Sequence, residues 1–181
     1  MSRKYYNRIK ANEGNMNKSQ MFFPTSKTKL IVMTVCTFSI YIFYWFYTNW
    51  KILKETQGSD IRPFWRTFLV PIFCYSLFKG VRECAKENNV RAEYSPGWIT
   101  VGYILFSTTG ILPHPFSLMT FFLPMLPLLP VQGAINSLNA KTAPDLKIND
   151  KFSGWNIAGI IFGVILWGLL ILAMTMPVPS A

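Results

Sequence analysis

Residues 153–176 run for 24 positions without a charged side chain. As one helix, such a run is long enough to cross the roughly 30 Å of hydrocarbon in a bilayer. Four further apolar blocks precede it, at residues 30–50, 63–78, 98–112 and 116–138, and all eight acidic residues fall outside the blocks. A soluble core would interleave polar and apolar positions along each helix instead of separating them into blocks. The pattern implies an all-α, polytopic transmembrane bundle of about five membrane segments.

The blocks differ in quality. The block at 30–50 has no charge, and its second half is strongly aromatic, as expected at a headgroup interface. The block at 63–78 is short, begins around Arg62 and Arg66, and carries Pro71 near its middle. It reads either as a thin, kinked span or as an interfacial segment. The block at 116–138 is interrupted by Pro124, Pro127 and Pro130, each of which removes a backbone donor, so this helix must kink or break. Before the first block, Pro24-Thr25-Ser26 provides a helix start with Thr25 or Ser26 as N-cap. No cleavage pattern follows that block, and it is expected to stay attached. Three regions result: a basic cytoplasmic segment at 1–29, a membrane helical domain at 30–176, and a short external tail at 177–181.

Charge orients the chain. The formal net charge is +10, and only 14% of residues are charged, against about 25% in ordinary soluble domains. In this setting Lys and Arg set topology and meet anionic lipid headgroups; nucleic acid is not an expected partner. With five spans and the N-terminus inside, fourteen Lys/Arg lie in cytoplasmic segments and four, all within 51–66, lie outside. The C-terminus is then external. A second arrangement returns those four to the cytoplasm: the first block is a re-entrant hairpin, the second lies in the interface, and three segments span. It requires non-helical backbone in the membrane, which is tolerated where protein covers it.

Residues 37–54 resemble the signature of a group of bacterial membrane proteins of unknown function, roughly T-x-G-I-Y-x-x-Y-W-x-Y-K-x. Thr37, Ile40, Tyr41, Tyr44, Trp45 and Tyr47 match. Ser39 stands at the usual glycine, which argues against a glycine-based bend, and Thr48 stands where lysine is common. The resemblance implies a bacterial inner-membrane setting and supplies no activity.

Three surfaces are candidates for function. Tyr41, Tyr44, Trp45 and Trp50, with Arg62, Trp65 and Arg66, form a candidate lipid or partner surface, built if residues 51–61, which include Gly58, let the aromatic end fold back beside the two arginines. Rings and guanidinium groups together suit anionic headgroups. Gln132, Asn136 and Asn139 share a helix face and would either bond neighbouring helices, line a polar vestibule, or mark arrival at the cytoplasmic surface. Gly159 and Gly163 lie one turn apart, as in close helix packing, either within the chain or between copies.

No catalytic, metal or cofactor site is expected. The single histidine, His114, sits between prolines in an external turn, and Cys36, Cys74 and Cys84 form no CxxC pair and are read as reduced thiols. The favoured function is a non-enzymatic accessory, scaffold or assembly component that binds lipid or a membrane partner, with homo-oligomers among the candidates. The alternative is a small transporter or channel using the proline-broken helix at 116–139. A lipid-directed enzyme would have to draw on loop acids such as Glu83, Glu87 or Asp145.

Overall fold

The computed structural model describes residues 21–57, 61–113 and 116–175; the expectations for residues 1–20, Gly58, His114 and the 177–181 tail lie outside the described residues. Among the described residues the chain is all-helical: seven α-helices, three 3-10 segments, and a lone bridge between Thr25 and Asn149.

The first apolar block is two helices. α1 (Lys27–Cys36) starts at Ser26, whose side chain accepts from the Lys29 amide, as an N-cap does. It ends in a turn where Phe38 and Ser39 have φ of 50° and 66°. The Ser39 amide donates to the Thr34 carbonyl at 2.9 Å, closing the helix end. Thr37 ties both sides of the turn: its hydroxyl donates to Met33 O at 2.6 Å and accepts from the Tyr41 amide at 3.0 Å. Left-handed backbone favours glycine, and Ser39 occupies it at the position where the resembled signature has glycine. The chain thus bends here without the glycine of the resembled signature, and local hydrogen bonds hold the turn. α2 (Ile40–Gln57) follows.

The second block also divides. α3 (Pro63–Phe68) stops at Leu69, and α4 (Val70–Glu87) begins there with Pro71 in its first turn, where a missing N–H costs little. Pro71 thus starts a helix instead of kinking one, and α4 runs nine residues beyond the apolar block into the charged segment that separates the second and third blocks. α5 (Pro96–Ser107) leads into 3-10 segments at Thr108–Ile111, Phe116–Phe121 and Leu123–Met125. These absorb Pro124, and Pro127 caps α6 (Leu128–Thr142), whose first turn holds Pro130. α7 (Gly154–Thr175) is last. Two stretches, Phe116–Thr142 and Gly154–Thr175, are long and apolar enough to cross a membrane; five spans are not confirmed.

The core lies between α2, α4, α5 and α6. Phe46, Phe78 and Tyr103 meet with ring centroids 5.5–6.4 Å apart, and Leu77, Leu128, Ile135 and Leu138 are fully buried around them. α7 packs on α1. Phe38 stacks on Trp167 with centroids 4.5 Å apart, and the Trp167 indole donates to Val35 O at 3.0 Å. The Ser39 hydroxyl reaches Phe121 O at 3.1 Å, so the α1–α2 turn, the 3-10 run and the middle of α7 meet at one level.

Candidate functional site

The polar face of α6 holds the chain's own backbone. Residues 21–26 run as an extended strap in front of α1, with Phe22, Phe23, Pro24 and Thr25 buried. Asn139 accepts from the Met21 amide at 3.2 Å and donates to Phe22 O at 2.9 Å. Gln132 donates to the carbonyls of Phe23 and Thr25 at 3.1 and 3.0 Å, and Asn136 donates to Thr25 O at 2.9 Å. From α2, Asn49 accepts from the Phe23 amide at 3.0 Å, and the Trp45 indole donates to Gln132 Oε1 at 2.6 Å. An extended segment exposes every peptide group, and burying it is tolerable only when those groups are bonded. Gln132, Asn136 and Asn139 therefore act together on a backbone more than a hundred residues away in the chain, and Gln132 also bonds the neighbouring helix α2 through Trp45.

Beside the strap lies a cavity of about 230 Å³ walled by Lys29, Tyr41, Tyr44, Asn149, Ser153 and Asn156. Lys29 is 3% exposed. Its ammonium donates to Asn149 Oδ1 at 2.7 Å and to Lys151 O at 2.6 Å, and lies 5.8 Å from the Phe152 ring centre. Burial pulls the ammonium below its ordinary value, and the Asp150 carboxylate pulls it partly back. Ser153 and Asn156 bond each other across the first turn of α7, with Asn156 Oδ1 accepting from the Ser153 amide at 3.0 Å. Sequence reasoning missed this cluster. One signal was present: Lys29 stands in the first turn of α1, where the helix dipole disfavours a cation, so an offsetting interaction was to be expected there.

The aromatic–basic surface assembles in part. α2 and α3 pack together, and the Arg66 guanidinium lies 4.6 Å from the Trp50 ring centre and 5.3 Å from that of Phe73. Trp65 and Tyr44 are about half exposed, and Arg62 is exposed. Tyr41, Trp45 and Trp50 are buried, so they are not one outward patch. Trp45 belongs to the strap network and Tyr41 to the Lys29 cavity. Phe64, Trp65 and Phe68 are exposed along α3.

The glycine pair resolves into unequal members. A Cβ on Gly163 would run into the Cys36 backbone carbonyl, whereas one on Gly159 would sit at ordinary contact distance from Thr37 and Met33. Gly163 thus admits α1 against α7 within the chain. Among the described residues, no cluster of three or more His, Cys, Asp or Glu has metal-binding geometry. Known protein families, curated proteins and solved structures contain no match to this chain.

Proposed function

We propose that the chain is a non-catalytic integral membrane protein of the bacterial inner membrane, an accessory, scaffold or assembly component that binds lipid or a membrane partner from the cytoplasmic side. One observation carries the reading: the level at which the chain turns between α1 and α2. With α7 taken as a span, Gly163 stands about 14 Å from its start, near mid-membrane. α1 reaches that level beside Gly163 and Trp167, and α2 then doubles back, with Tyr41 lining the Lys29 cavity and Tyr44 edge-on to Phe23, 5.7 Å between centroids. This supports the re-entrant arrangement. Lys51, Lys54, Arg62 and Arg66 then emerge on the side that holds the other fourteen basic residues, as the positive-inside rule favours. Phe121 and Trp167 cover the irregular turn, which meets the condition for such backbone in a membrane. Exposed Phe64, Trp65 and Phe68 give α3 the form of an interfacial helix. The transporter reading has less support, because Gln132 and Asn139 are buried in bonds to the strap.

Cysteine accessibility in intact cells tests the topology. Cys36, Cys74 and Cys84 are first replaced by serine or alanine, then single cysteines are placed at residues 57, 145 and 181. A membrane-impermeant maleimide added outside should label residue 181 and leave 57 and 145 untouched. Labelling at 57 would restore the five-span arrangement, and labelling at 145 would invert the orientation.

A further inference from the structure

We propose that the cavity walled by Lys29, Tyr41, Tyr44, Asn149, Ser153 and Asn156 binds the phosphate of an anionic membrane lipid. The inference rests on the reading that this end of the molecule lies at a headgroup layer. An ammonium has three donors, and Asn149 and Lys151 accept two of them through uncharged oxygens. A charge so deeply buried is stable only when paired or fully bonded, and a phosphate oxygen in the cavity completes the set. The other walls add the hydroxyls of Tyr41 and Tyr44 and the side-chain NH2 of Asn156, all able to donate to an anion, while the Ser153 hydroxyl donates to Asn156 Oδ1 and so orients that amide. α1 and α7 both begin here, and their positive dipole ends favour negative charge. Asp150, whose carboxylate acts on the Lys29 ammonium, opposes an anion.

The volume suits a phosphate with part of a headgroup. Acyl chains also have a place to run. Ile40 and Phe43 are exposed on α2, which carries Tyr41 and Tyr44, and Ile157 is exposed on α7, which carries Asn156, so both helices that wall the cavity also present apolar side chains outward. A soluble phosphate compound would make no use of that flank, which favours a lipid.

The full chain in an uncharged detergent is titrated with short-chain phosphatidylglycerol, short-chain phosphatidylcholine and inorganic phosphate, and bound ligand is counted by native mass spectrometry. The wild type should hold one phosphatidylglycerol at least about tenfold more tightly than phosphatidylcholine, and Lys29→Gln should weaken it by about tenfold or more, the scale of a lost charge-assisted hydrogen bond. Tyr44→Phe keeps the ring that packs on Phe23 and should weaken binding severalfold with unchanged thermal unfolding. Lys141→Gln, on the exposed surface near Asn89, should bind as the wild type does. Unchanged phosphatidylglycerol binding in Lys29→Gln, whatever its stability, would reduce Lys29 to a structural tie and overturn the proposal. So would unchanged binding in Tyr44→Phe. Displacement of the lipid by an equal concentration of inorganic phosphate would overturn the lipid assignment. None of these outcomes depends on labelling at residue 57, so the site and the topology can fail separately.

Discussion

α6 and α7 are both uncharged through their apolar stretches, and both belong to segments that pass a membrane-length test, yet they make opposite use of their surroundings. Of the apolar stretch of Phe116–Thr142, 39% is buried inside the protein, against 6% for that of α7. α6 turns Gln132, Ala134, Ile135, Leu138 and Asn139 inward and carries polar groups that hold the strap. α7 meets the protein along one line, through Gly163 and Trp167, and leaves Ile161, Phe162, Ile165, Leu169 and Leu172 outside. Hydropathy measures only what a helix tolerates around it. Where a protein core and a lipid core are equally apolar, polar side chains and small residues show which one a face meets.

Substitutions can break that comparison, and the largest effect is expected at Gln132. Gln132→Ala removes the donor to two strap carbonyls and the acceptor for Trp45. The Trp45 indole is left unpaired, at about 1–3 kcal/mol, and each strap carbonyl loses one of two donors, at about 0.5–1.5 kcal/mol apiece, so a total loss of about 2–6 kcal/mol is expected. Thermal unfolding in detergent should fall accordingly, with faster proteolysis around residues 21–26. Wild-type stability would mean that the strap is not held by α6. At Gly163 the effect should be smaller. Gly163→Val must push α7 off the Cys36 carbonyl, at about 1–3 kcal/mol, while Gly168→Val, with nothing within 4 Å of its added Cβ, should stay within about 0.5 kcal/mol. Equal effects at the two glycines would remove the one-line contact proposed for α7. The smallest change is expected for Trp167→Phe, which keeps a ring against Phe38 and loses the bond to Val35 O, at about 1 kcal/mol. Crosslinking between cysteines placed at 35 and 167 would show whether α7 stays in register in each variant.

Several elements were legible from local sequence because their causes are local. The apolar runs mark helices, Ser26 caps α1, and the prolines at 124 and 127 hold off regular helix until Leu128, with Pro130 tolerated in its first turn, where a missing donor costs little. Arg66 meets Trp50 because few residues separate α2 from α3. Gly163 was visible as a small residue, but not what would approach it. Serine at position 39 removes the argument for a glycine bend, and only the bonds of Thr37 and Ser39 to neighbouring turns explain why the chain bends there.

What the amino-acid sequence determined by itself is the all-helical class, the apolar blocks and the net basic charge, since each depends on properties that add up along the chain. Tertiary structure alone decided which polar groups met. Met21 finds Asn139 across 118 positions, and Lys29 finds Asn149 across 120. Such pairs leave no periodicity to read, because a buried donor needs one acceptor within about 3 Å and is indifferent to where in the chain that acceptor comes from.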